Sequence, residues 1–315
     1  MPGRGCAVST LRQAAEEYLA MRRCLGYKLQ RQGPLLLDFI GYLERIGATT
    51  VTIEAAMAWA TQPSGAAAVW HKHRLIAVRG FATHLKTLDP DCQVPPRRLL
   101  PTCGERVAPY LYSDEEIAAL VHAAGTLARP LQAATYQALI SLLAVTGLRA
   151  GEAIRLTRGD VNLDTALITV INTKFGKSRL VPLHPVTAGM LRRYAARRDQ
   201  LCPAPATTSF FISTTGKPLL PSSIDSTFAR LLGLAGICTP PGQARPRIHD
   251  FRHSLAVRTL LEWYRSGADV PARLPLLSTW LGHADPASTF WYLHASPELL
   301  ALAAQRLQDA QEQQS

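Results

Sequence analysis

Apolar positions return at helical spacing four times between residues 9 and 87. "STLRQAAEEYLAMRRCLGYK" offers Ser9 or Thr10 as a cap and stops at Gly26; "GPLLLDFIGYLERIG", "TIEAAMAWATQ" and "AAAVWHKHRLIAVRGFATHLK" follow as three more helices. A fifth opens at "SDEEIAALVHAA", where Ser113 and Glu116 have capping-box spacing. "YQALISLLAVTG" is apolar on all sides, which predicts a buried helix stopped at Gly147. The period then changes. "ALITVINT" and "RLVPL" are β-type runs around a "KFGKS" turn, with "NLDT" as another turn before them. After residue 185 the helical period resumes, ending in the tail "SPELLALAAQRLQDAQEQQS", where Pro297 starts a helix and Leu300, Ala303, Ala304 and Leu307 form one face. The pattern predicts a mainly α chain with a small antiparallel β-sheet, an α+β class.

Residues 88–112 break the periodicity with closely spaced prolines. This predicts a helical domain over 1–90, a linker over 91–112 and a second domain over 113–315.

Composition narrows the partner. The chain has 315 residues and a net charge of +11 with a sequence pI near 9.7, the excess being spread over both halves. A globular protein this basic is expected to meet a polyanion, and nucleic acid comes first. Lys72, Arg74 and Arg79 interleave with Trp70 and Phe81 on the fourth helix, which predicts a basic face lying along DNA phosphates. Six widely separated cysteines show no CxxC spacing, so neither a disulfide framework nor a zinc site is expected. No apolar run is long enough to span a membrane and the start lacks a signal-peptide core, so the expected location is the cytoplasm, at the nucleoid.

Four later segments concentrate chemistry. "TGLRAGEAIRL" puts Arg149 after a glycine stop with Glu152 three residues on; "NTKFGKSRLVPL" puts Lys174 and Lys177 at a hairpin tip; "IHDFRHSLAVRTLLEW" puts His249 and Arg252 on one helical face; "LGHADPASTFWYLHAS" holds His283 and Tyr292, with Asp285 as a cap for a helix from Pro286. Singly each has a plain reading: a surface ion pair, solvated lysines, a half-buried ring. His249 and His253 have metal-ligand spacing but no acidic third ligand nearby, so no metal or other cofactor is expected.

In this order the four blocks, TGLR-x-x-E, a hairpin lysine, H-x-x-R-H, and LGH followed by a tyrosine nine residues on, resemble the tyrosine recombinases, the phage-integrase family. The match spans about residues 113–305, and the first domain resembles the family's helical, SAM-like core-binding domain. The resemblance implies Arg149 and Arg252 as catalytic arginines, Lys174 as the hairpin lysine, His249 and His283 as the two histidines, Tyr292 as nucleophile and Glu152 as support for Arg149. Lys177 and Arg179 would contact the DNA backbone, with the roles of Lys174 and Lys177 open to exchange, and His253 would be structural. It also implies double-stranded DNA as partner and a homotetramer on DNA held through the C-terminal helix. The "WYRSGADVPARLPLLSTW" insertion and the tail look more like transposon-borne members than Xer-type resolvers.

The implied chemistry is physically coherent. Guanidiniums bind phosphate oxygens bidentately, remain charged, and stabilise the extra charge of the transition state. A tyrosine hydroxyl must lose its proton as it attacks, and His249 can accept it; a hairpin lysine can protonate the departing 5′ oxygen. The expected function is site-specific cutting and rejoining of DNA through a 3′-phosphotyrosyl link, serving integration, excision or transposition of mobile DNA. Rival readings are a type IB topoisomerase, a catalytically silent DNA-binding protein of the same fold, and a histidine-based metal hydrolase sensitive to EDTA.

Overall fold

A computed structural model describes residues 10–62, 64–100, 108–171, 178–239, 245–283, 289, 292 and 297–312. The chain divides into two compact units, Met1–Arg106 and Val107–Ser315.

The first unit holds four helices: α1 (Leu11–Cys24), α2 (Gln32–Arg45), α3 (Ile53–Thr61) and α4 (Ala68–Leu85). Thr10 and Thr52 cap α1 and α3 through their hydroxyls, each accepting from a backbone N–H three residues on. Leu36, Phe39, Ile40, Leu43, Trp59, Val78 and Phe81 form the core. Arg74 belongs to that core. It is buried with its guanidinium 3.7 Å from the Trp59 ring centroid and donates 3.0 Å to the Trp59 carbonyl. The expected surface cation is therefore an internal one, because Arg74 shares the helix face of Val78 and Phe81. Arg79 is also engaged, donating 2.7 Å bonds to the carbonyls of Pro95 and Pro96. These contacts fix part of the expected linker: Cys92 is fully buried and the Gln93 N–H donates 2.8 Å to Val51. A proline-rich segment lacks the N–H groups for a helix or ladder, so it attaches through its carbonyls instead.

The second unit opens with α5 (Asp114–Gly125), whose Ser113–Glu116 capping box forms as read from the sequence. Next come the buried α6 (Pro130–Thr146), the single turn α7 (Ala150–Ala153), and a sheet of β1 (Val161–Asn162), β2 (Leu167–Val170) and β3 (Arg179–Pro182) in antiparallel order β1-β2-β3. Ile168 sits opposite both Val161 and Val181, facing the core. The chain continues through α8 (Pro185–Leu201), α9 (Pro221–Leu234), α10 (Asp250–Arg265), α11 (Val270–Leu281) and α12 (Pro297–Glu312). The mainly α chain with a small antiparallel sheet matches the sequence reading.

Two features of this unit set up the site. The start of the unit is tied to α10: Tyr112 stacks on Phe251 with ring centroids 4.6 Å apart, and its N–H donates 2.8 Å to Ser254 Oγ. The tail helix α12 packs against α10 in the same chain. Leu299 is fully buried there, and Arg306 donates to the Ala268 and Tyr264 carbonyls at 2.7 and 2.8 Å. Leu300, expected on the packed face, is 46% exposed. The inward stripe runs through Leu299 and Arg306, one residue out of phase with the expected one, because the C-terminal end of α10 offers carbonyls that the long cationic side chain of Arg306 reaches. Among the described residues no helix is long and apolar enough to cross a membrane.

Candidate active site

The site forms where α6 ends, α10 begins and α11 ends. α6 stops at Gly147 in the left-handed conformation (φ +63°), which turns the chain back so that Arg149 begins α7. A side chain at residue 147 would meet Leu255 and Leu281 at about 3 Å, so the turn packs tightly against α10 and α11. α11 likewise ends at Gly282 (φ +66°), which delivers His283.

Arg252, on the first turn of α10, is the most enclosed cation of the site at 2% exposure. It donates to the Gly147 carbonyl at 2.8 Å and the Leu281 carbonyl at 2.5 Å, the two residues that close α6 and α11. Burial pulls its pKa down to about 10, opposed by the Tyr292 hydroxyl. Tyr292, also 2% exposed, lies close enough to Arg252 for the guanidinium to act on its hydroxyl. Burial raises the phenol's pKa, and the charges of Arg252 and Arg149 work against that rise.

Arg149 stands across the site with a third of its side chain open to solvent. It donates to Glu152 Oε1 at 2.7 Å and to the Gly282 carbonyl at 3.1 Å. Glu152 is buried. Burial alone would raise its pKa, but the hydrogen bonds and charge of Arg179, then of Arg149, outweigh it and hold the carboxyl down at about 2.

The histidines complete the wall. His283 shares a 2.7 Å hydrogen bond between Nδ1 and Thr289 Oγ1, and its ring stacks on Tyr292 at 5.8 Å. Burial, reinforced by Arg252, Arg149 and Arg179, lowers its pKa to about 4, so it is neutral at physiological pH. His249 stands exposed at the start of α10, where partial desolvation of its ring and the charge of Arg252 also lower its pKa. His253 bridges the two groups: its ring lies 5.0 Å from His249 and 5.4 Å from Tyr292.

Six residues singled out from the sequence thus converge: Arg149, Glu152, His249, Arg252, His283 and Tyr292. Lys174 and Lys177, and the proposed cap Asp285, lie outside the described residues. Lys72 is exposed on α4. Arg179, expected on DNA, is instead inside the site, gripping Glu152 at 2.8 Å and the Trp280 carbonyl at 3.0 Å. The strand period carried that signal: Leu180 is 61% exposed and Val181 is buried, so Arg179 falls on the inward side. Thr289, the partner of His283, and His253, beside Tyr292, had no comparable signal.

A fold so assembled has known relatives. The chain matches the model of the Phage integrase family over residues 111–298. It is 45% identical over 312 residues to the putative integrase/recombinase y4rB of Sinorhizobium fredii (strain NBRC 101917 / NGR234), spanning 96% of this chain and 98% of that protein. Among solved structures it resembles the XerH site-specific recombinase bound to palindromic difH substrate in a post-cleavage complex, with a TM-score of 0.64 at 20% identity over 95% of this chain and 84% of that one. The Tn1549 transposon integrase in complex with a circular intermediate DNA also gives 0.64, at 18% identity over 93% of this chain and 99% of that one. At those identities the two structures establish a shared fold. The family match and the full-length relative go further: the chain belongs to the phage integrase family, the tyrosine recombinases.

Proposed function

We propose that this protein is a site-specific DNA recombinase that cuts and rejoins strands through Tyr292. The observation that carries the reading is the burial of Tyr292 within one chain's own cluster, its ring 5.8 Å from His283 and 5.4 Å from His253, with its hydroxyl under the charge of Arg252 and Arg149.

In the cleavage step the Tyr292 oxygen bonds to the scissile phosphorus and the bond to the 5′ oxygen breaks. This leaves a 3′-phosphotyrosyl link and a free 5′-hydroxyl. Arg149 and Arg252 bind the non-bridging oxygens, whose charge grows as the phosphorus becomes five-coordinate. Arg252 keeps N–H groups beyond the two given to carbonyls. The phenol's raised pKa keeps Tyr292 protonated before DNA arrives. A neutral His249 can then accept the proton during attack, and the neutral His283 can donate a hydrogen bond to a phosphate oxygen. Lys174 delivers a proton to the 5′ oxygen. Rejoining runs the same steps backward with a 5′-hydroxyl from another strand, so the link conserves the phosphoester energy and no nucleotide cofactor is needed.

The DNA partner is double-stranded, bound as a tetramer, with Lys72 and Lys177 as backbone contacts. The biological outcome we favour is movement of mobile DNA, in line with the transposon-type features of the sequence. The test is a nicked suicide substrate, from which the short fragment bearing the freed 5′-hydroxyl diffuses away. Wild type should accumulate a covalent complex stable to denaturing gels, in EDTA as well as without it. Tyr292→Phe should form none while binding the same DNA. An adduct on the phenylalanine variant would refute the assignment.

A further inference from the structure

We propose that Arg179 is a positioning residue for strand cleavage: it clasps the same Glu152 carboxylate that Arg149 binds and so frees the charge of Arg149 for the phosphate. The inference rests on the reading of Tyr292 and the two arginines given above.

The geometry is that of a fork. Arg179 Nη2 lies 2.8 Å from Glu152 Oε2 and Nη1 lies 3.4 Å from Oε1, while Nε donates 3.0 Å to the Trp280 carbonyl. Arg149 meets the same carboxylate through its Nη1 at 2.7 Å and its backbone N–H at 3.1 Å. The Arg179 side chain is only 10% exposed. Its guanidinium is spent inside the protein and has little surface to offer DNA.

Charge explains the need for it. A buried Arg149–Glu152 pair is neutral by itself, and a phosphate approaching it would meet a cation already compensated. With Arg179 on the same carboxylate, the three guanidiniums of Arg149, Arg179 and Arg252 exceed Glu152 by two charges. The phosphodiester arrives with one negative charge and gains another as it is attacked. The surplus matches the transition state.

Position explains the second half. Arg179 begins β3, directly after the hairpin segment that carries Lys174 and Lys177. Its head group lies under the turn at Gly282, where a Cβ would sit 2.5 Å from Nη1. The Gly282 carbonyl in turn accepts from Arg149, and His283 follows. One side chain thereby joins the base of the hairpin, the Arg149 support and the end of α11.

The test compares wild type, Arg179→Met, Arg179→Lys and Arg179→Met/Glu152→Gln in the full chain. Single-turnover cleavage of suicide DNA is followed from about pH 8 down to about pH 5. Arg179→Met should cleave on the order of 100-fold slower at saturating DNA, with affinity unchanged. The charged groups facing Glu152 are Arg149, Arg179 and Arg252. Losing Arg179 leaves the buried carboxyl to Arg149, so it takes up a proton at higher pH than before. A neutral carboxyl no longer cancels Arg149, so the Arg179→Met rate relative to wild type should recover on acidification. That extra slope should vanish when Glu152 is Gln. Arg179→Lys, which keeps the charge, should recover part of the rate, and it carries the test if the Met variant fails to fold. A variant that cleaves at wild-type rate, or whose deficit is the same at every pH, overturns the proposal. Weaker DNA binding with full cleavage at saturation would make Arg179 a DNA contact instead. Absence of any adduct in wild type would count against Tyr292, not against Arg179.

Discussion

Replacing Arg252 by methionine should separate catalysis from stability, and the structure fixes the size of each effect. Burial moves the Arg252 pKa from 12.5 to about 10, so its charged form is disfavoured in the fold by about 3 kcal/mol at every pH below about 10. Methionine removes that penalty while filling a similar volume. Against it stand the carbonyls of Gly147 and Leu281, which lose their donors at about 1–3 kcal/mol each. The two effects nearly offset, and the variant should be destabilised by no more than about 3 kcal/mol, within what a domain of this kind tolerates. Cleavage should behave differently. Loss of a preformed donor to a developing oxyanion costs roughly 10²–10³ in rate, and Arg252 supplies a full charge besides. Urea denaturation gives the first number and the rate of adduct formation on suicide DNA gives the second. Cleavage within about tenfold of wild type would show that Arg252 does not serve the phosphate, by the scale just given. A chain that no longer folds would show that its two carbonyl bonds outweigh its desolvation.

Other substitutions probe separate parts of the account. Gly282→Ala puts a methyl group on a left-handed residue and 2.5 Å from Arg179, so it should lose about 1–3 kcal/mol in urea denaturation and slow cleavage as well. Stability should fall as pH drops. His283 titrates near 6.5 when unfolded and near 4 when folded, so across that window the unfolded chain binds more protons and acid favours it; His283→Asn should flatten the denaturation midpoint between those pH values. Arg74→Ala should lower the melting temperature of the first unit, because it removes the cation over Trp59. Lys72→Ala should leave the melting temperature alone and reduce the salt slope of DNA binding by about 1; equal effects of the two variants on melting would count against the assignment.

Much of this architecture was legible in the sequence because local rules and global fold agree in it. Thr10 and Ser113 cap the helices their positions predict, and Gly147 ends α6 with the positive φ expected of it. The convergence of Arg149, Arg252, His283 and Tyr292 was legible only through the family's motif order. No periodicity brings together residues more than a hundred positions apart. What was misread has a common cause. Arg74 and Arg79 read as a DNA surface by charge and Arg179 by the resemblance, yet their long side chains satisfy buried groups: Trp59, the Pro95 and Pro96 carbonyls, and Glu152. At Arg74 and Arg179 the helix and strand periods gave the better guide. The phase of α12 was missed because its inward face includes Arg306, which a hydrophobic stripe does not count.

The most direct test of the central claim is where the DNA becomes attached. Trypsin should release residues 274–306 as one peptide, between Arg273 and Arg306, and Tyr292 is the only tyrosine within it. After wild-type protein reacts with suicide DNA and the strand is trimmed by nuclease, mass spectrometry should find that peptide carrying a nucleotide 3′-phosphate on Tyr292. A nucleotide on any other side chain, or a cleaved strand with no protein attached, would contradict the account.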